Sequence, residues 1–317
     1  MSVWTVTGGR ALSGSVRVQG SKNAALPVLA ACVLVRGVTL LENCPCLSDV
    51  DCAVSILREL GCRVQQQDGG LLIDARGELR SCIPLSLMER MRSSALFLGA
   101  LLGRNGEAEG FQPGGCSLGE RPIDYHLLAF RALGARVSEQ GSEILCRADA
   151  LQGAVITLPG KSVGATENAL LAACGAKGES GIRNAAAEPE ILCLCAFLRA
   201  AGAEIEGEGS DTIRVRGFSS REQVRFRIPS DRIASASYLC FALASRGEIT
   251  LLDCPVSELR PVLQQLGALG AEDREGANTL TLRMPRRPRG SLSVSSGPYP
   301  LFPTDAMPLL LAVCASA

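Results

Sequence analysis

Residues 111–127, FQPGGCSLGERPIDYHL, concentrate groups that can do chemistry. Pro113, Gly114, Gly115 and Gly119 predict a long turn that holds Cys116 out of the core, with Arg121 nearby. An exposed thiol beside a guanidinium is biased toward thiolate or serves as a tuned acid. A surface thiol on a flexible loop is the alternative that spacing alone leaves open. The other thirteen of the fourteen cysteines lie among Ala, Leu and Val and are expected to be reduced, buried hydrophobes. Cys44/Cys46 and Cys193/Cys195 are close pairs, yet the single histidine, His126, and the lack of CxxC spacing predict no structural metal. His126 itself reads as a helix-face residue.

A second candidate is an anion site. In GSKNAALP a glycine turn hands over to a helix at Lys22 and Asn23, so a cationic side chain and helix-terminal N–H groups face one place. A merely solvated Lys22 is the plainer reading. Arg92, Arg121, Lys161 and Arg232 each fall near the head of a similar helix. If the heads converge, they line a basic cleft suited to an anionic small molecule. Asp305, in PYPLFPTD, follows two prolines and reads as the N-cap of the last helix.

These heads belong to an internal repeat. SKNAALPVLAACVL, MRSSALFLGALL, SVGATENALLAACGA and DRIASASYLCFALAS begin at Ser21, Met91, Ser162 and Asp231, spaced by 70, 71 and 69 residues. Three copies continue with Gly, a β-branched or apolar run and an Asn or Asp turn: GVTLLENCP, ESGIRNAAAEPE and GEITLLDCPVSE. A second helix ending in a Gly C-cap follows, as in ILRELGCRV and FLRAAGAEI, with strands behind it. One unit is therefore helix, strand, helix, strand, strand. Its helices are apolar nearly all round, so units must pack them inward against one another. A fifth head, PTDAMPLLLAVCASA, places Asp305 74 residues after Asp231 and then ends, which reads as a truncation. RMPRRPRG reads as an exposed loop between units.

Composition narrows the function classes. The 32 basic and 32 acidic side chains cancel, and eight Phe, three Tyr and one Trp offer little surface for stacking bases, which argues against nucleic acid as a partner. No signal-peptide pattern opens the chain and no apolar run approaches ~18 residues, so no membrane association and a cytoplasmic location are expected. At 317 residues the length suits two domains.

With GSKNAALP, MRSS, PGGCSLGERPIDYHL, SVGATEN, EPEI, DRI and FPTD in this order, the chain resembles the enolpyruvyl transferases, specifically those that act on UDP-N-acetylglucosamine. The resemblance covers essentially the whole chain, and the PGGC loop separates it from the relatives that act on shikimate phosphate. It implies a two-domain, inside-out α/β barrel of repeated ~70-residue units. One domain would span 20–229, and the second, 1–19 plus 230–317, would be incomplete by roughly 100 residues.

The implied reaction transfers the enolpyruvyl group of phosphoenolpyruvate to the sugar 3-hydroxyl with release of phosphate, the first committed step of peptidoglycan synthesis, with no cofactor. Cys116 would be the acid, and also the target of fosfomycin. Asp305 would be the base, and Lys22 would hold the phosphate of phosphoenolpyruvate with Asn23 near the reacting carbon. Arg121, Pro122, Ile123, Asp124, Tyr125, Lys161, Ser162, Val163 and Gly164 would bind the UDP-sugar, assisted by Arg92 and Arg232. Two departures stand out: GKSVG lacks a residue that some members carry between Lys and Ser, and further arginines of the family's anion clamp would lie beyond residue 317. The competing readings are a non-catalytic UDP-sugar-binding paralogue and, last, shikimate-phosphate chemistry on the same fold.

Overall fold

The structure, a computed structural model, describes residues 3, 5, 7–67, 69–114, 122–290 and 292–316. After β1 (Ser13–Arg17), the first copy of the repeat is α1 (Lys22–Ala31), β2 (Val38–Glu42), α2 (Ser48–Leu60), β3 (Arg63–Gln67) and β4 (Gly70–Asp74). A short α3 (Leu85–Met88) and a 3-10 turn (Arg92–Ala95) lead into α4 (Leu96–Asn105), β5 (Glu107–Phe111), α5 (Asp124–Ala132), β6 (Arg136–Gln140) and β7 (Glu143–Arg147). Then β8 (Val155–Thr157) precedes α6 (Val163–Ala173), β9 (Glu179–Arg183), α7 (Pro189–Ala201), β10 (Ala203–Glu206) and β11 (Thr212–Phe218). Finally β12 (Gln223–Arg227) precedes α8 (Arg232–Ala244), β13 (Glu248–Leu252), α9 (Arg260–Ala268), β14 (Glu272–Glu275) and β15 (Thr279–Arg283), with α10 (Met307–Ala315) as a fifth head. The helix, strand, helix, strand, strand order is the one the repeat implies.

Local chemistry sets the element ends. Ser162 and Asp231 cap α6 and α8 through side-chain oxygens that accept backbone N–H groups. Gly61 and Gly202 end α2 and α7 at φ 107° and 115°, a left-handed conformation that costs a residue with a Cβ dearly. The second copy departs from expectation: EAEGF has no β-branched run, yet it forms β5 because its backbone pairs along the whole length of β7.

Each copy contributes three antiparallel strands, and in three of them a fourth strand joins in parallel from elsewhere in the chain. The orders are β12-β2-β4-β3, β8-β9-β11-β10 and β1-β13-β15-β14. The β5-β7-β6 sheet carries only a single parallel bridge, between Cys82 and Glu109, in the place of the fourth strand.

The chain divides into two compact units, 22–229 and 1–21 with 230–317. In the larger unit helices lie inside and sheets outside. Every residue of α1 from Ala24 to Ala31 is buried, as is every residue of α6 from Ala165 to Ala173. The strands alternate buried and exposed positions, as a sheet covered on one face must. α4 packs against both α1 and α6.

The α4–α6 approach is very close. A Cβ on Gly99 would sit 2.2 Å from Asn168 Oδ1, one on Gly103 2.7 Å from the Leu171 carbonyl, and one on Gly175 2.0 Å from the Gly103 carbonyl. The turn that ends α1 is tied down by Arg104, a buried residue of α4. Its guanidinium donates to the carbonyls of Val33 (2.7 Å), Val35 (3.2 Å), Ala75 (2.8 Å) and Gly77 (2.8 Å). Carbonyls of the turn after α1 and of the segment after β4 are thereby satisfied by one side chain.

The smaller unit packs its sheet on α8 and α9, with Leu239, Leu243, Leu251, Leu266 and Leu282 in the core, and α10 lies on α8. Phe241 of α8 and Leu311 of α10 are 54% and 62% exposed. Among the described residues no helix is long and apolar enough to cross a membrane.

Gly99→Ala is expected to lower stability by about 1–3 kcal/mol, because the added methyl must displace the Asn168 amide or part α4 from α6. Gly267→Ala, in α9 with nothing within 4 Å of the new methyl, should instead stabilise by roughly 0.5–1 kcal/mol. Urea midpoints of the two variants measure the difference.

Candidate functional site

The polar heads of the inward helices are where charge collects. Lys22 and Asn23 open α1, both half-buried, and Lys22 Nζ lies 3.4 Å from Asp49 Oδ2 in the first turn of α2. The anion site read at this helix start thus includes a carboxylate that the sequence did not single out. Both partners are substantially exposed, so the pair is a weak one that an anion can displace.

The second cluster joins three segments of the larger unit. Arg92, in the 3-10 turn ahead of α4, donates from Nη2 to the Pro122 carbonyl at 3.1 Å. Pro122 is exposed, and Ile123, the residue before α5, is 2% exposed. Asp124 is exposed in the first turn of α5, and Tyr125 is half-buried. The Tyr125 ring lies against Gly160, 3.9 Å from where a Cβ would be.

This brings 122–125 to the loop that enters α6. There Ser162 Oγ accepts from the Ala165 N–H at 3.4 Å, and Val163 and Gly164 form the first turn. Lys161 Nζ pairs with Asp211 Oδ1 at 2.6 Å. Arg92, Pro122, Ile123, Asp124, Tyr125, Lys161, Ser162, Val163 and Gly164 are therefore held by one set of packed elements. A helix N-terminus flanked by Arg92 and Lys161 attracts phosphate oxygens.

His126 belongs to this cluster, although the sequence presents it as a bland helix-face residue. It is 8% exposed, and its Nδ1 lies 2.6 Å from Nδ2 of Asn168 on α6. Burial, reinforced by the Arg92 charge, pushes the imidazole down to about 4, so the ring is neutral at physiological pH. Asn168 was findable in principle: an amide in the middle of an Ala/Leu helix needs buried partners.

Arg232 and Asp305 lie in the smaller unit. Arg232 is the first residue of α8 and is buried, behind the Asp231 cap. Asp305 is exposed, but it is not an N-cap. It sits inside a 3-10 turn, Thr304–Ala306, and the residues before that turn and before α10 are Pro303 and Ala306, neither of which makes a side-chain cap bond. The turn closes instead through the Ala306 N–H and the Pro303 carbonyl at 3.0 Å. Cys116 and Arg121 lie outside the described residues.

The expectation that every other cysteine is buried is corrected. Nine are buried, Cys44 and Cys314 are half-buried, and Cys46 and Cys82 are exposed. Cys44 and Cys46 stand in the turn after β2, and Cys82 in the loop before α3. In the core, burial pushes the thiols up, to about 12 at Cys146 and Cys195, which makes them poor nucleophiles. Among the described residues no three His, Cys, Asp or Glu side chains gather as a metal site.

Residues 6–316 match the family model described as EPSP synthase (3-phosphoshikimate 1-carboxyvinyltransferase). Over all 317 residues the chain is 41% identical to UDP-N-acetylglucosamine 1-carboxyvinyltransferase 2 of Caldanaerobacter subterraneus subsp. tengcongensis, covering 76% of that protein. It is 38% identical over 320 aligned positions to UDP-N-acetylglucosamine 1-carboxyvinyltransferase of a Psychrobacter species, covering 100% of this chain and 74% of the relative. Among solved structures, the enolpyruvyl transferase NikO from Streptomyces tendae aligns with a TM-score of 0.85 at 23% identity, over 98% of this chain and 74% of the other, a likeness of fold.

One carboxylate beside the site is buried next to other carboxylates. Glu167, on α6 next to Asn168, is 5% exposed. Burial first, then the neighbouring charges of Glu190 and Glu188, push its carboxyl well above the usual range. A carboxyl whose folded-state value is raised binds its proton more tightly than in the unfolded chain. Its contribution to stability is therefore full in acid and is lost as pH rises through the folded-state value. Glu167→Gln is expected to leave stability unchanged at low pH and to raise it increasingly toward alkaline pH. Urea titrations of both proteins across pH 4–9 read this out, and a constant difference across the range would contradict it.

Proposed function

This chain belongs to the EPSP synthase family of enolpyruvyl transferases, and we propose that it transfers the enolpyruvyl group of phosphoenolpyruvate to the 3-hydroxyl of UDP-N-acetylglucosamine with release of phosphate. The observation that carries this reading is the 41% identity along the entire chain to a UDP-N-acetylglucosamine 1-carboxyvinyltransferase. Resemblance to the EPSP synthase structure from Acinetobacter baumannii is at 20% identity, which speaks for the fold and not for shikimate phosphate as substrate. The reaction opens peptidoglycan synthesis and belongs in the cytoplasm, where both substrates are small anions.

We assign the roles as follows. Cys116 delivers a proton to the methylene carbon of phosphoenolpyruvate while Asp305 takes the proton of the sugar 3-hydroxyl, which adds the hydroxyl oxygen to the neighbouring carbon. Loss of phosphate and of a proton from the methyl group restores the enol ether. Positioned acids and bases of this kind contribute roughly 10²–10⁴ each in rate. Lys22 and Asn23 hold phosphoenolpyruvate, and the pairing of Lys22 with Asp49 keeps the ammonium oriented until phosphate replaces the carboxylate. Arg92, Arg121, Pro122, Ile123, Asp124, Tyr125, Lys161, Ser162, Val163 and Gly164 bind the nucleotide sugar, with Arg232 adding positive charge. The hydrogen bond of Arg92 to Pro122 and the contact of Tyr125 with Gly160 support that assignment. The two domains of the enzyme would follow the two compact units, with the nucleotide site in the larger.

Phosphate release from phosphoenolpyruvate, measured with and without UDP-N-acetylglucosamine, tests the reading. The chain should release phosphate only when both substrates are present, and Cys116→Ser should slow it by roughly 10²-fold or more. Equal rates in the two proteins would remove Cys116 from its role. Binding of the nucleotide sugar without phosphate release would favour a non-catalytic UDP-sugar binder, and turnover of shikimate 3-phosphate would revive the remaining alternative.

A further inference from the structure

Behind the head of α6 lies a polar cluster that none of these roles uses. Asn168 is completely buried, one helical turn beyond Gly164. Its Oδ1 accepts from the Gly99 N–H at 3.0 Å. Its Nδ2 donates to the Ala95 carbonyl at 2.9 Å and lies 2.6 Å from His126 Nδ1. These partners settle the orientation of the amide. Turned over, it would set NH2 against the Gly99 N–H and an oxygen against the Ala95 carbonyl. One Nδ2 hydrogen therefore serves Ala95 and the other points at His126, so Nδ1 of the imidazole must accept. The ring proton is left on Nε2.

The opposite edge of the ring faces the nucleotide end of α6. A Cβ on Gly164 would lie 3.1 Å from Cε1 and 3.4 Å from Nε2 of His126, so the absence of a side chain there lets the imidazole reach the first helical turn. The ring is 8% exposed, and among the described residues Nε2 has no hydrogen-bond partner. Burial, with the charge of Arg92 added to it, keeps the imidazole neutral. The Nε2 edge of this ring is open to solvent or to a ligand, and no described protein group accepts from it. It stands beside the first N–H groups of α6, which have no intrahelical partner either. Two independent features, a helix head and beside it the unpartnered donor of a nearly buried ring, thus suit the same kind of group.

We propose that Asn168 holds His126 in its Nε2–H form so that the ring donates a hydrogen bond to an anionic oxygen of the nucleotide sugar at the head of α6, a role that rests on the functional reading above. His126 touches the ligand, and Asn168 is a positioning residue that acts through it. A neutral ring suits this task, since a proton fixed on Nε2 donates at every pH at which the enzyme works.

Because His126 is the only histidine, ring nitrogen signals from 15N-histidine-labelled protein are unambiguous. The wild-type ring should carry its proton on Nε2 at neutral pH, and the Nε2 signal should move when UDP-N-acetylglucosamine saturates the site. By calorimetry His126→Phe should weaken binding of this nucleotide sugar about tenfold, and His126→Gln, whose amide nitrogen can stand in for Nε2, should recover most of it. Asn168→Asp should move the ring proton onto Nδ1. A proton on Nδ1 or an imidazolium in the wild-type protein at neutral pH would overturn the proposal, as would an unmoved Nε2 signal with ligand bound. An unaltered Nε2–H signal in Asn168→Asp would remove the positioning role. No binding of the nucleotide sugar by the wild-type chain would overturn the functional reading and this proposal together.

Discussion

The close approach of α4 and α6 governs the larger unit. Two helices normally keep about 8–10 Å between axes because side chains hold them apart. Here Gly99, Gly103 and Gly175 remove those side chains, and backbone meets backbone or the Asn168 amide. Dispersion gains from so tight a contact come with a requirement: polar atoms trapped in it must find partners. Asn168 meets the requirement by spanning Ala95 and Gly99 at the joint where the 3-10 turn becomes α4. The same amide faces His126 on α5. One side chain therefore sets three elements relative to one another, the 3-10 turn with Arg92, α5 with 122–125 and α6 with 162–164. Site geometry and core packing are in this sense a single constraint.

The repeated unit was legible because it obeys strong local rules. Ala/Leu-rich helices preceded by polar heads, glycines after the second helices and strands between them recur at nearly constant spacing, with side-chain caps at Ser162 and Asp231 and left-handed glycines at Gly61 and Gly202. What stayed hidden was non-local. EAEGF becomes β5 through pairing with β7, and β1, β8 and β12 each join a strand from another part of the chain in parallel. No spacing announces that Arg104 will serve four carbonyls, two of them in the turn after α1 and two beyond β4.

At the candidate site the division is similar. Motifs single out Lys22, Arg92, 122–125 and 161–164 as candidates, since residue type and position at helix heads are read directly from the chain. Counter-charges do not appear in such a reading: Asp49 and Asp211 come from other elements and reach Lys22 and Lys161 only through the fold. Asp305 shows the reverse error. An Asp before an apolar helix suggested a cap, but the proline-rich approach closes a 3-10 turn through its own backbone and leaves the carboxylate exposed and available for other work.

The parallel pairing of β1 with β13 also bears on how the protein is made. Ser13 pairs with Glu248, so β1 leaves the ribosome ahead of a partner 235 residues behind it. At about 5–20 residues per second the interval is roughly 10–50 s. Meanwhile the larger unit can close on itself once Gln223–Arg227 meets Val38–Glu42, shortly before the partner of β1 is made. The nascent chain therefore trails an unpaired strand while its core forms. The serines and glycine of that strand, SGSVR, present little apolar surface for wrong partners to seize during the interval.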